Sequence, residues 1–266
     1  MTLAFISIGD LTHHYSITGP KDGPALVFAN SLGTDFRTWD KVIEALPDGF
    51  RILTYDKRGH GLSGMPPGPY SMDQLVGDIE SLMDHHGMND AIFVGLSVGG
   101  IIAQGLWSKR PDLIRALVLS DTANVIGPKE MWDQRIDAIT KGGIEPMGDA
   151  VMERWFSPGF RASRTAELAG YRNMLVRTPA EGYVGVSTAI RDADMTDSTR
   201  NINIPTMCIV GSDDGATTPA MVRALADLID GARFEVIDGV GHLPCVEQPE
   251  IMAGLIESFL KENNLV

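Results

Sequence analysis

The chain has 266 residues, of which 44% are hydrophobic and 21% charged, with Lys plus Arg at 22 against Asp plus Glu at 35. This length suits one large α/β domain or a domain carrying an insertion, and the balance of residues excludes intrinsic disorder as the overall state. A net charge of -13 repels phosphate backbones and anionic lipid surfaces, so neither nucleic acid nor membrane is expected as a partner.

In chain order, Leu3–Ile8 and Thr12–Thr18 read as an antiparallel pair of strands around Asp10. The runs Ala25–Ala29, Arg51–Tyr55, Ala91–Val94, Ala116–Leu119, Thr206–Val210 and Arg233–Ile237 are short and apolar, as expected of strands buried on both faces of a parallel sheet. Helical patterns lie between them. Ser71 and Gln74 form a capping box for a helix toward His86 that Gly87 stops. Val98–Ser108 reads as the next helix, Thr218 and Pro219 as the start of one to about Ile229, and Pro249 as the opening of the last.

Between Thr122 and Arg200 no strong strand run occurs, so residues 122–200 are expected to form an inserted helical cap after the sixth strand. Residues 1–121 and 201–266 would then form the core domain. The insert holds 10 Lys/Arg and 11 Asp/Glu, a net of -1, which leaves -12 on the remainder. An anionic ligand would meet far less repulsion at the cap than at the body. The two cysteines, Cys208 and Cys245, form no disulfide framework, and no Cys/His cluster has zinc spacing. Cys245 and the methionines, Met131, Met147, Met152 and Met174 among them, read as packing residues. Met1–Asp10 carries no secretory pattern and no run is long enough to span a bilayer, so a soluble protein of the reducing cytoplasm is expected.

The chemical signal is Gly95-Leu96-Ser97-Val98-Gly99, between the AIFV strand and a helical pattern. A nucleophilic serine must stand on a sharp strand-to-helix turn, which crowds its neighbours and calls for glycine two residues to either side. The following helix N-terminus favours developing negative charge. Such a hydroxyl needs a base. Of six histidines, His13 and His14 sit in early strands, His85 and His86 end a helix, and His60 sits in a turn where a structural role is expected. His242, in the loop after the last strand, is the candidate base. The orienting carboxylate could be Asp121, Asp213 or Asp214, each just after a strand.

Four blocks, GLSVGG at 95–100, DKRGHGLS at 56–63, GSDDGATTP at 211–219 and GHLPCVEQP at 241–249, resemble the α/β-hydrolase fold. Asn30-Ser31-Leu32-Gly33-Thr34-Asp35 with Trp39, and Leu119-Ser120-Asp121-Thr122-Ala123, resemble more narrowly the 3-oxoadipate enol-lactonase family. The resemblance implies a twisted, mostly parallel eight-stranded sheet flanked by helices. It implies a Ser97–His242–Asp214 triad, with the backbone N–H groups of Leu32 and Val98 as oxyanion hole. It further implies an acyl-enzyme, a small anionic lactone as substrate, no metal or organic cofactor, and a place in aromatic catabolism. A general carboxylesterase on the same fold is the alternative; a non-catalytic binding protein would be expected to have lost a triad member.

A substrate carboxylate calls for a guanidinium, and the expected cap offers Arg135, Arg154, Arg161, Arg164, Arg172, Arg177 and Arg191. Trp132 and Arg135, three apart on a helical pattern, are proposed as pocket wall and anion anchor. The plainer alternative makes Trp132 core and Arg135 a solvated charge.

Overall fold

Apolar runs of five to seven residues, too short for stable helices and rich in Val, Ile and Leu, all enter a single sheet. The computed structural model describes residues 3–266. Eight strands form in chain order: β1 Leu3–Ile8, β2 Leu11–Thr18, β3 Ala25–Ala29, β4 Arg51–Tyr55, β5 Ala91–Leu96, β6 Ile114–Ser120, β7 Thr206–Gly211 and β8 Arg233–Ile237. Their spatial order is β1-β2-β4-β3-β5-β6-β7-β8. The first two pairings, β1 with β2 and β2 with β4, are antiparallel, and the other five are parallel. Every residue of β5 and β7 is buried, as expected of central strands covered on both faces.

The helices are α1 Asp40–Ala45, α2 Met72–His86, α3 Val98–Lys109, α4 Lys129–Gly142, α5 Gly148–Trp155, α6 Pro158–Ser163, α7 Thr165–Val176, α8 Ala180–Asp192, α9 Thr196–Arg200, α10 Pro219–Ala226, α11 Pro244–Glu247 and α12 Pro249–Glu262. Local chemistry sets several ends. Ser71 accepts from the Gln74 N–H while the Gln74 side chain accepts from the Ser71 N–H, and Gly87 closes α2 in the left-handed region at φ 58°. Two details depart from the sequence expectation. Thr218 makes no side-chain cap, and α10 stops at Ala226 because the Ile229 N–H turns to the Ala226 carbonyl, three residues back. Ile229 is nonetheless buried, which is why the apolar period ran on.

After β3 the chain forms β4 on one side and then crosses back to place β5 on the other. The loops following β3 and β5 therefore diverge and leave a crevice at the carboxyl ends of these strands, the switch point where open α/β sheets bind ligands. The six helices α4 to α9 lie between β6 and β7 in sequence. At Gly182 of α8, a Cβ would stand 2.2 Å from the Gly59 carbonyl oxygen in the loop after β4. Helix and loop can approach this closely only without a side chain. Gly182→Ala is expected to destabilise the protein by about 1–3 kcal/mol through overpacking, read as a lower melting temperature in thermal unfolding.

Candidate active site

Ser97 occupies the turn between β5 and α3 at φ 58° and ψ -119°, a conformation L-residues rarely adopt. Its neighbours explain how the turn is tolerated. A Cβ on Gly95 would lie 2.4 Å from the Gly99 carbonyl oxygen, and one on Gly99 would lie 2.1 Å from that of Ala29. The Ser97 N–H is fixed to Ser120 on β6 at 2.9 Å, and the Ser97 carbonyl accepts from Gly100 N–H and Thr122 Oγ1. The hydroxyl is thus carried on a rigid corner at the N-terminus of α3.

His242 arrives from the loop after β8. Its backbone N–H bonds the Trp155 carbonyl at 2.7 Å, tying it to the end of α5. The ring Nδ1 lies 2.8 Å from Asp214 Oδ2. Asp214 Oδ1 also accepts from the N–H groups of Ala216 and Thr217, at 2.6 and 3.0 Å, and its Oδ2 from Thr217 Oγ1 at 2.7 Å. Burial acts to raise the Asp214 pKa, but the imidazole charge and these donors outweigh it and hold the carboxyl below its ordinary value. An ionised Asp214 can only accept, so Nδ1 bears the hydrogen directed at it, and Nε2 lies on the far side of the ring. Ser31 Oγ stands 3.4 Å from that Nε2.

The three carboxylates considered from sequence are separated by their surroundings. Asp213 is exposed and pairs with its neighbour Ser212. Asp121 is fully buried beside Asp214, with one oxygen from each carboxylate and a His242 ring nitrogen all within 4.8 Å. It accepts from Gly211 N–H at 3.0 Å and Ser120 Oγ at 2.6 Å. Burial, and next the Asp214 charge, push its carboxyl well above the usual range. Of this adjacent pair, Asp121 is the carboxyl pushed up and Asp214 the one held down.

Two of the other histidines, His14 and His60, are occupied structurally. His14 is buried against Asp56 at 2.6 Å and stacks on Phe5. His60 Nε2 accepts from the Gly33 N–H at 3.0 Å, so its other nitrogen holds the hydrogen and points at the Arg58 carbonyl. Burial, reinforced by Lys57, lowers the His60 pKa to about 3, which keeps it a neutral acceptor. Leu32 and Val98 are both buried, and neither backbone N–H has an intramolecular acceptor among the described residues.

One pocket brings together Ser97, His242, Leu32, Trp132 and Arg135. Trp132 is buried and donates from its indole to the Ile126 carbonyl at 2.7 Å, while the Arg135 guanidinium lies 5.0 Å from its ring centroid. Arg154 lines the same pocket, and its pKa is lowered by burial and then by Arg135. Neither arginine has a carboxylate partner among the described residues. Four of the other candidate arginines are committed elsewhere. Arg161 bonds the Phe156 carbonyl, Arg164 pairs with Glu167, Arg172 with Asp149, and Arg191 with Asp133 and Asp192. Arg177 lines a separate groove.

Three residues of this neighbourhood escaped the sequence reading: Ser31, Lys57 and Glu247. Glu247 accepts from the N–H groups of Gly241 and Ser157 and from Ser157 Oγ, joining the histidine loop to the end of α5. The only available signal was its place in the GHLPCVEQP block.

An alpha/beta hydrolase family model matches residues 26–255. A 3-oxoadipate enol-lactonase 2 of Acinetobacter baylyi is 34% identical over 96% of this chain and 95% of its own length. The crystal structure of the enol-lactonase from Burkholderia xenovorans LB400 superposes with a TM-score of 0.93 at 36% identity, covering 97% of this chain and all of that one. A bifunctional esterase/perhydrolase of Acinetobacter calcoaceticus is 25% identical over 91% of this chain and 94% of its own length. In none of the described residues is a helix long and apolar enough to cross a membrane. With this fold, this elbow and these relatives, the chain belongs to the alpha/beta hydrolase family and is similar over nearly its whole length to 3-oxoadipate enol-lactonases.

Proposed function

We propose that the protein hydrolyses a small lactone bearing a free carboxylate, 3-oxoadipate enol-lactone, through an acyl-enzyme on Ser97. The reaction begins when His242 Nε2 takes the Ser97 proton and Oγ attacks the lactone carbonyl. The Leu32 and Val98 N–H groups receive the oxyanion. Collapse breaks the ring C–O bond, His242 returns its proton to the departing enol oxygen, and the enol tautomerises to the ketone. Water, deprotonated by His242, then attacks the acyl-enzyme and frees Ser97 and the second carboxylate. Asp214 holds the imidazole in the tautomer this sequence needs and stabilises its charged form. The residues of 122–200 act as a cap that closes one wall of the pocket.

The observation carrying the choice of substrate is the pair Arg135 and Arg154, two partly buried guanidiniums without acid partners facing the pocket of Ser97 and His242. In a chain of net charge -13 such groups are poorly explained as surface charge, and a ligand carboxylate between them would relieve their mutual repulsion. Turnover of freshly generated enol-lactone, compared with a neutral p-nitrophenyl ester, tests the reading. Preference for the ester would favour a general carboxylesterase with the same machinery. Arg135→Gln and Arg154→Gln are each expected to raise KM for the lactone about tenfold or more, the worth of a charge-assisted hydrogen bond, and to leave KM for the neutral ester unchanged. Equal losses on both substrates would remove the anchor role.

A further inference from the structure

Lys57 stands just after β4, in a turn where a lysine ordinarily points to solvent. Instead it is 1% exposed. Its Nζ donates to two backbone carbonyls, Asn30 at 2.9 Å and Ser31 at 3.0 Å, and it forms no ion pair among the described residues. Burial lowers its pKa to about 7, against the pull of Asp56 and Asp35. So costly a placement calls for a reason, because burying an amine without a counter-ion is unfavourable.

The reason lies in which peptide is held. The Ser31 carbonyl and the Leu32 N–H belong to one planar unit, and in a trans peptide the two point in opposite directions. A donor that fixes the carbonyl therefore fixes the N–H. The Ser31 oxygen also accepts from Thr34 Oγ1 at 2.8 Å, and the following residue is pinned separately by Gly33 N–H donating to His60. The carbonyl side of this peptide is thus fully engaged with the protein, whereas the Leu32 N–H has no acceptor within it. Hydrogen bonds to a carbonyl also polarise the amide and strengthen its N–H as a donor.

We propose that Lys57 is a positioning residue for the reaction, holding the Ser31–Leu32 peptide so that the Leu32 N–H is aimed and polarised toward the oxyanion. Lys57 touches neither substrate nor nucleophile; it acts through this peptide. The proposal rests on the acyl-enzyme reading above. It extends that reading to the back of the oxyanion hole, where Lys57 and His60 together replace the solvent that a surface loop would use.

The test uses hydrolysis of p-nitrophenyl acetate, which does not require the lactone assignment. In Lys57→Met, kcat is expected to fall about 10- to 100-fold, less than or equal to the loss of a whole oxyanion donor, with KM unchanged. Affinity for an aryl trifluoromethyl ketone, which adds to the serine as a tetrahedral anion, is expected to fall by the same factor as kcat/KM. A purely structural role would lower the melting temperature without that parallel. Should Lys57→Met fail to fold, Lys57→Gln keeps an N–H donor one atom short of the two carbonyls, and is expected to lower kcat about five- to tenfold with the same parallel. Folded variant, of either kind, with kcat within threefold of wild type, or with unaltered ketone affinity, would overturn the proposal. Wild-type protein inert toward both ester and ketone would instead overturn the acyl-enzyme reading itself.

Discussion

Ser97→Ala is expected to lower kcat/KM by about 10⁴- to 10⁶-fold, the scale on which removal of a triad nucleophile acts. Alanine keeps the Cβ and the backbone of the elbow, so the conformation at φ 58° and the close contacts of Gly95 and Gly99 are unchanged. What disappears is the oxygen alone. Residual turnover would come from water placed by His242, with the oxyanion donors still present. Steady-state kinetics on the lactone and on a neutral ester measure the loss. Mass spectrometry of rapidly quenched protein should show an added acyl group on wild type and none on the variant. Retention of a tenth or more of the activity would reject the covalent route.

The second large effect separates two acids that lie side by side. Asp214→Asn is expected to reduce kcat about 10⁴-fold, because an amide in that place stabilises the wrong imidazole tautomer and no longer supports its positive charge. Asp121→Asn should stay within about threefold of wild type, since burial and the neighbouring Asp214 charge already disfavour its ionised form. The asymmetry follows from their donors. Asp214 faces the His242 ring, two backbone N–H groups and a hydroxyl, whereas Asp121 is desolvated and faces the Asp214 charge. Comparable losses for the two variants, in kcat measured on folded protein, would mean that the pair shares the orienting role.

The central strands β3 to β7 were legible because they are buried on both faces, which leaves a plain mark of short apolar runs with polar turns between them; β8, read from sequence as equally buried, is an edge strand that leaves Val236 exposed. The capping box at Ser71 and the left-handed stop at Gly87 were equally local, and each formed as written. The elbow could be read for the same reason, since the crowding that demands Gly95 and Gly99 acts within five residues. Choosing among Asp121, Asp213 and Asp214 was different. All three follow strands, and only the packing that exposes Asp213 and buries Asp121 without sufficient donors distinguishes them. Family resemblance pointed to Asp214 where spacing alone could not. Lys57 was illegible in the sequence because its burial depends on carbonyls in a loop 26 and 27 residues earlier. Arg135 and Arg154 were two among seven similar arginines until the acids that occupy most of the others came into view.

β6 and β7 are adjacent in the sheet, with Leu117 opposite Thr206 and Ser120 opposite Ile209, although some eighty residues separate them in the chain. Within that crossover the chain closes on itself where the Met195 N–H donates to the Asn124 carbonyl at 2.9 Å and the Asn124 side chain donates to Thr196 Oγ1, so helices α4 to α8 leave and re-enter at nearly one point, like a drawer fitted to a cabinet. Lengthening, trimming or exchanging that stretch imposes no stretch on the neighbouring strands. The hydrogen-bonded frame beneath stays as it is when that stretch changes.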